Sequence, residues 1–145
     1  MDVLRRLSRL LVRGGVLGFQ EPSWVPALAY SENLPLFHAC TRLCRDTLAD
    51  MGVNVEMGSD LYASFVEAGL PPPRMRCDVE VGDSPDLARW TYDLVMSTFA
   101  RSGTRDPRVV DLGDLETLPQ RLYDEARAAR TFSCGIAIFS AWSHV

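Results

Sequence analysis

The chain has 145 residues, of which 47% are hydrophobic and 23% are charged, a composition typical of a folded globular protein with one compact domain. The formal net charge of −4 argues against an electrostatic interface for nucleic acid. No apolar run is long enough to span a bilayer. We therefore expect a cytoplasmic protein with no nucleic-acid or membrane partner. The four cysteines lack metal-ligand spacing and are expected to be free thiols.

The first predicted element is an amphipathic helix within residues 1–13, where leucines recur at helical spacing and arginines occupy the opposite face. A mitochondrial presequence is the alternative interpretation of this arginine-rich segment. Gly14 ends the helix, and Val16 to Phe19 then forms a short apolar strand that we expect to be covered on both faces. Glu21 is expected just past the carboxyl end of this strand.

Helical patterns dominate the next part of the chain. Residues 21–35 are rich in proline and aromatic side chains and are expected to form a loop after the strand. Apolar residues at helical spacing then predict a helix from Leu36 to Met51. A serine cap followed by apolar residues predicts a shorter helix from Ser59 to Ala68. Each of these helices is followed directly by a glycine, which favours its termination there.

The last part of the chain combines strands with helices. Residues 75–81 alternate between apolar and polar side chains and predict a half-exposed strand. A serine followed by a proline predicts a helix over residues 84–100, and a polar loop follows over residues 101–107. A further helix is expected over residues 115–126, and an apolar strand over residues 132–142 closes the chain. The residues expected to be buried are Met75, Cys77, Val79 and Val81 on the strand over residues 75–81, and Leu87, Trp90, Leu94 and Val95 on the helix over residues 84–100.

Three segments of the sequence carry a family resemblance. The stretches LRRLSRLLVRGGVLGFQEP, GSDLYASFVEAGLPPPRMRCDVEVG and CGIAIFSAWSHV resemble the C-terminal half of a class I S-adenosylmethionine-dependent methyltransferase of the small-molecule type. In that family a helix and a glycine turn lead into the fifth strand, and a helix end similar to FVEAGL leads into the sixth. Arg13 stands where the family usually has proline, and a turn tolerates this change.

The resemblance covers essentially the whole chain and implies its fold class. We expect an α/β fold with a partial Rossmann-like methyltransferase sheet, made of strands five, six and seven with flanking helices. The last strand would be antiparallel and would lie between the other two. Residues 1–145 would form a single domain, the C-terminal half of a methyltransferase-like domain.

The resemblance also implies a function and a cofactor. The protein would transfer the methyl group of S-adenosylmethionine to a small-molecule acceptor. The family's donor-binding loop precedes the part that this chain matches. Gly14, Gly15 and Gly18 follow a helix and enter a strand, whereas a donor loop needs glycines that leave a strand and open a helix. We therefore expect no cofactor-binding residue in this chain and no activity of the chain alone.

The alternative function is that of a non-catalytic truncated protein that folds by pairing with another chain. Without strands one to four, Val16 to Phe19 would be an edge strand with unpaired backbone groups. Such an edge favours a homodimer or a complementing chain. A fragment of a hydrolase or dehydrogenase is disfavoured, because the strand-ending motifs of those enzymes are missing.

The candidates for the acceptor site follow the first predicted strand and are Glu21, Trp24, Tyr30, Phe37 and His38. All five would contact substrate, with Glu21 at the edge of the pocket and the others in a lid over it. Glu21 and His38 are also the catalytic candidates, because an acid or a histidine can assist deprotonation of the acceptor. The alternatives are a capping or salt-bridging role for Glu21 and ordinary packing for the lid residues.

No metal site is expected. Cys40 and Cys44 share a face of the predicted helix, but His38 points about 200° away from Cys40 by the helical period. The sequence offers no second pair of ligands. His144 lies at the chain end, where we expect a frayed tail rather than a catalytic base.

Overall fold

The structure is a computed structural model that describes residues 2–102 and 107–145. It has a mixed α/β fold with six α-helices and small antiparallel sheets in the described residues. In chain order the elements are α1 (Asp2–Ser8), β1 (Val16–Ser23), α2 (Val25–Ala29), α3 (Pro35–Asp50), α4 (Met57–Glu67), β2 (Arg74–Asp78), β3 (Val81–Gly82), α5 (Pro85–Ser102), a 3₁₀ helix (Pro107–Leu112), α6 (Leu118–Ala128), β4 (Ser133–Cys134) and β5 (Ala137–His144). No described helix has both the length and the apolar character of a membrane span.

The described residues form two compact units, which we name by their content. The sheet unit consists of the described residues of Met1–Ser23, Glu56–Asp78 and Ala137–Val145. The helical unit consists of those of Trp24–Val55 and Val79–Ile136. That residues 1–145 form a single domain stays a prediction.

The sheet of the sheet unit has the strand order β1, β5, β2. β5 is antiparallel to both neighbours; along β1, Val16 pairs with His144 and Ser23 pairs with Ala137. β1 and β2 therefore run parallel to each other, on either side of β5. The predicted α/β class and the antiparallel last strand are confirmed, and β1 forms an edge of this sheet.

A hydrophobic core covers one face of this sheet. β1 contributes the buried Leu17, β5 contributes Ala141, and α4 contributes Leu61 and Phe65. The ring of Phe19 meets the ring of Phe65 edge to face, with 6.3 Å between the ring centres. These contacts hold α4 against the sheet.

The other face of β1 is open. Val16 is 52% exposed, and Gly18 and Gln20 are also exposed. The expectation that this strand is covered on both faces is therefore wrong for the described residues. Both Leu4 of α1 and the core residues of α4 pack on the same side as Leu17, so the alternate residues of β1 face solvent.

The first helix is shorter than predicted. α1 ends at Ser8, and Leu10 is 79% exposed although its spacing placed it on the buried face. The chain then turns at Gly14, whose φ of +82° suits glycine, and enters β1. Gly15 accepts a hydrogen bond from the N–H of Val145 over 2.9 Å, so the turn is tied to the end of the chain.

Two predicted strands are each divided between the units. The segment over residues 75–81 forms β2 in one sheet and β3 in another, and the segment over residues 132–142 forms β4 and β5 in the same way. Cys77, Val79 and Val81 are exposed, so their predicted burial is wrong. Alternation is a local signal, whereas membership of a sheet depends on pairing with distant residues.

The helical unit has its core between α3, α5 and α6. Its most deeply buried side chains include Leu34, Cys40, Val95, Leu112, Leu118 and Leu122. The predicted helix from Leu36 to Met51 is confirmed to within one residue at each end. Part of the predicted loop before it is helical, since α2 lies there.

Helix α5 begins as predicted. The hydroxyl oxygen of Ser84 accepts the N–H of Leu87 over 3.1 Å, which is a serine cap. The buried stripe runs through Leu87, Thr91 and Val95, one turn apart. Trp90 is 46% exposed on the flank of that stripe, so its predicted burial is wrong.

Part of the polar loop predicted over residues 101–107 is helical, because residues 101–102 belong to α5 and residue 107 begins the 3₁₀ helix. Residues 103–106 of that loop lie outside the described residues. The helix predicted over residues 115–126 is confirmed as α6, which starts three residues later than expected.

Candidate functional site

Glu21 lies inside β1 rather than past its end. It pairs with Phe139 across the sheet, and β1 continues to Ser23. Pairing with β5 extends the strand over Pro22, which an edge strand tolerates because its missing N–H can lie on the unpaired side. The prediction of a strand-ending acid is therefore wrong, although Glu21 remains near the carboxyl end of the strand.

A cavity of about 220 Å³ adjoins Glu21 in the sheet unit. The other side chains around it are Val3, Leu4, Phe19, Met57, Leu61 and Ser64. Helix α4 approaches β1 closely here, since a Cβ on Gly58 would lie 2.8 Å from the carbonyl oxygens of Glu21 and Pro22. Glu21 is thus a half-buried carboxylate beside a mostly apolar cavity.

The aromatic lid candidates lie in the helical unit. Trp24 and Phe37 are 2% and 3% exposed and pack in its core. Tyr30 is 60% exposed, and its ring lies 5.8 Å from the ring of Phe132. The burial of Trp24 and Phe37 favours ordinary packing, and substrate contact by these three residues stays a prediction.

His38 lines a larger cavity, of about 570 Å³, in the helical unit. This volume is within the range of small-molecule pockets. The other lining residues come from the outer face of α3, the turn before it and the 3₁₀ helix: Glu32, Pro35, Ala39, Arg42, Leu43, Asp46, Arg108 and Asp111. We call this the α3 cavity.

Hydrogen bonds fix the ring of His38. Its Nδ1 lies 2.9 Å from the hydroxyl oxygen of Ser31, and that hydroxyl lies 3.1 Å from the carbonyl oxygen of Leu28. A carbonyl oxygen only accepts, so the hydroxyl donates to Leu28 and accepts from His38. We therefore assign the proton of the neutral ring to Nδ1, which leaves a lone pair on Nε2. Ser31 is completely buried, so water does not compete for this arrangement.

Charges of both signs surround the α3 cavity. Arg42 lies 3.9 Å from the carboxylate of Asp46, which is a long contact, and Asp46 pairs more closely with Arg45. Arg108 lies 3.1 Å from the carboxylate of Asp50. Arg42 is therefore the guanidinium of the cavity wall that is held more loosely.

The described residues do not fit the adenosyl donor that the resemblance implies. In the part of the chain that the structure describes, no glycine lies between β1 and α2. The junction between β3 and α5 has a single glycine, Gly82, which is the last residue of β3. At that second junction Ser84 already caps the helix. Gly14 and Gly15 lead from a helix into a strand instead.

Neither the two thiols of α3 nor the second histidine, His144, is part of a metal site in the described residues. Burial raises the pKa of the Cys40 thiol to about 12 and that of Cys44 to about 11, so both stay protonated and are poor metal ligands. Within residues 2–102 and 107–145, no three His, Cys, Asp or Glu side chains are grouped as metal ligands. His144 belongs to β5, with Nδ1 3.3 Å from the carbonyl oxygen of Gly14, so the expected frayed tail is wrong.

Sequence analysis did not identify Ser31, Arg42 or Arg108 as neighbours of His38. The position of Arg42 could have been predicted from the sequence, because Arg42 follows His38 by four residues on a predicted helix and so lies on the same face. Ser31 bonds to His38 from a turn, and Arg108 lines the same cavity from the 3₁₀ helix; no local pattern indicates either placement. Protein-family models and curated proteins give no match to this chain.

Proposed function

We propose that this chain is the C-terminal, substrate-side portion of a class I S-adenosylmethionine-dependent methyltransferase that acts on a small molecule. The observation that carries the proposal is the strand order β1, β5, β2, with β5 antiparallel to both. The resemblance implies the same order for strands five, seven and six of the family. A partial Rossmann-like sheet is therefore the interpretation that we favour for the sheet unit.

The helices of the sheet unit support the proposal as well. α1 precedes β1 through the glycine turn, and α4 precedes β2 through Gly69, which has a φ of +79°. These are the two helix-to-strand transitions on which the resemblance depends. Leu4 of α1 and Leu61 of α4 belong to one core, so both helices cover the same face of the sheet.

The role of this chain would be to bind and orient the acceptor and to hold its proton. S-adenosylmethionine, when bound by the complete enzyme, would supply an electrophilic methyl group. Glu21 in the sheet unit and His38 in the helical unit are the proposed proton acceptors, each beside its own cavity. Orientation of the acceptor and assistance by such a base are established sources of rate acceleration.

The experiment is a methyl-transfer assay on the chain co-expressed with the donor-binding N-terminal half of a class I S-adenosylmethionine-dependent methyltransferase. Radiolabelled S-adenosylmethionine and a panel of small hydroxyl and amine acceptors are supplied, and label in the small-molecule fraction is counted. We expect transfer by the pair and none by the chain alone. His38→Gln or Glu21→Gln should lower the rate by about 10²-fold or more if that residue is the base. His144→Gln is the matched control, and absence of transfer by the pair contradicts the proposal.

The second candidate is a non-catalytic protein that folds by pairing with another chain through β1. It is favoured by the position of β1 at a sheet edge and by the 52% exposure of Val16. Sedimentation analysis should then show a dimer or a complex, and Val16→Lys should weaken it. A stably folded monomer at micromolar concentration contradicts this candidate.

A further inference from the structure

We propose that the α3 cavity binds a small phenol that carries a carboxylate, and that His38 takes the phenolic proton through Nε2. The inference rests on the proposed function in one respect, because it names the chemical class of the methyl acceptor. Ligand binding and the tautomer of His38 need no methyl donor and can be tested on the chain itself.

Ser31 makes His38 a base before any ligand arrives. The Nδ1 side of the ring is turned to the buried Ser31, so the Nε2 side is left for the cavity that the ring lines. Proton transfer breaks the O–H bond of the phenol and forms an N–H bond at Nε2, while the electron pair stays on the phenolate oxygen. Ser31 acts only through His38 and is a positioning residue.

Arg42 provides the site for the carboxylate. It lies one helical turn after His38, which places both side chains on the same face of α3. Its side chain is 59% exposed and its contact with Asp46 is 3.9 Å long. A guanidinium held this loosely can bind a ligand carboxylate through two parallel hydrogen bonds.

The remaining lining residues select the body and the charge of the ligand. Pro35, Ala39 and Leu43 follow one another at four-residue spacing in the cavity wall and give an apolar strip that suits an aromatic ring. The carboxylates of Glu32, Asp46 and Asp111 also line the cavity, and Asp46 is paired with Arg45. They disfavour a multiply charged anion such as phosphate, so a single carboxylate is the better match.

The first test measures which nitrogen of His38 carries the proton. The chain has two histidines, so a long-range ¹H–¹⁵N correlation spectrum of the whole protein resolves both rings. We expect neutral His38 to be protonated at Nδ1 only, and Ser31→Ala to give a mixture of tautomers while the signals of His144 stay unchanged. A wild-type ring protonated at Nε2, or an unchanged ring in Ser31→Ala, overturns the proposal.

The second test is a titration of the same protein with 4-hydroxybenzoate, benzoate, phenol and inorganic phosphate. We expect 4-hydroxybenzoate to bind most tightly and to shift the ring signals of His38. Arg42→Gln should weaken this binding about tenfold, towards the affinity for phenol, because it removes a charge-assisted pair. Arg89→Gln removes an exposed arginine of the same unit on α5 and should leave binding unchanged. Equal affinity for the three aromatic compounds, tighter binding of phosphate, or no binding overturns the proposal.

These outcomes are separable from those of the methyl-transfer assay. Transfer to acceptors of another class, without binding of 4-hydroxybenzoate, overturns the inference and leaves the proposed function standing. Binding of 4-hydroxybenzoate at His38, without methyl transfer by the co-expressed pair, supports the site and overturns the proposed function.

Discussion

Glu125 of α6 holds the first turn of α3 at Phe37. One carboxylate oxygen of Glu125 lies 2.9 Å from the amide nitrogen of Phe37, and the other lies 2.7 Å from that of Leu36. Leu34, at the cap position of α3, makes no side-chain cap bond. A carboxylate from a distant helix therefore accepts hydrogen bonds from two of the free amides of α3. Its negative charge also interacts favourably with the positive end of the α3 dipole. The α3 cavity, which α3 largely forms, depends on this placement.

The first prediction concerns this cap. Glu125→Ala should lower the free energy of unfolding by about 1–2 kcal/mol, as the loss of a helix cap does. Glu125→Gln should cost less, because the amide oxygen still accepts one of the two bonds. Urea denaturation followed by circular dichroism measures both. Asp124→Asn, on the exposed side of α6, is the matched control with an effect within about 0.5 kcal/mol. The same small effect for Glu125→Ala would contradict the proposed role of the cap.

The second prediction concerns the contact between α4 and β1. Gly58→Ala would place a Cβ 2.8 Å from two backbone carbonyl oxygens and 3.0 Å from the ring of Phe139. We expect the steric clash to outweigh the gain of about 1 kcal/mol in helix propensity and to leave a net loss of about 1–2 kcal/mol. Gly18→Ala is the control, since its nearest contact is 3.7 Å, and it should be neutral or stabilising. A Gly58→Ala protein as stable as the wild type in urea would show that α4 does not approach β1 this closely.

The third prediction concerns thiol reactivity in the folded protein. Cys40, Cys44 and Cys134 are buried, whereas Cys77 is exposed. Reaction with Ellman's reagent at pH 8 should therefore modify one thiol in the native protein and all four in denaturant. Cys77→Ser should reduce the native count to zero. Rapid modification of more than one thiol without denaturant would contradict the burial of Cys40, Cys44 and Cys134.

The fourth prediction is a loss of stability at alkaline pH. Burial raises the pKa of Cys40 to about 12 and that of Cys44 to about 11, above the ordinary value of 9.0. The unfolded chain therefore releases these protons first as the pH rises. The free energy of unfolding therefore keeps its full value below about pH 9. Above that pH it falls by about 1.4 kcal/mol per pH unit for each thiol, until the folded thiol also ionises near pH 11 to 12.

Urea denaturation between pH 8 and 11 measures this slope. The chain contains no lysine, so no lysine side chain titrates in this window, and the four tyrosines and the N-terminal amine are common to every variant compared. The double variant Cys40→Ala, Cys44→Ala should have a flatter profile, whereas Cys77→Ser should keep the slope of the wild type. A double variant with an unchanged slope would rule out the buried thiols as its cause.

Much of the fold is predictable where local signals are strong. The helical spacing and following glycine of α3 define it to within one residue, and Ser84 marks the start of α5. The boundaries of β1 are harder to predict from the sequence, because its extension over Glu21 and Pro22 depends on pairing with β5 near the other end of the chain. Trp90 is misjudged because apolar character alone does not separate the centre of a buried stripe from its flank.

The candidate site is predictable only in part. His38 is identified by its chemistry, which is a property of one residue. Its tautomer depends on the hydroxyl of Ser31, in the turn before α3, and on the backbone carbonyl of Leu28 in α2, and neither contact leaves a pattern in the sequence. Glu21 is expected just past the carboxyl end of β1 but lies inside the strand, and its cavity depends on how closely α4 approaches at Gly58.

Under the proposed function, the chain is the acceptor side of a methyltransferase and does not itself bind the methyl donor. Calorimetric titration of S-adenosylmethionine tests this proposal most directly, with the chain alone and with the chain co-expressed with the donor-binding half of a class I methyltransferase. We predict a micromolar dissociation constant for the pair and no measurable binding by the chain alone. Micromolar binding by the chain alone, or no binding by the pair, would contradict the claim.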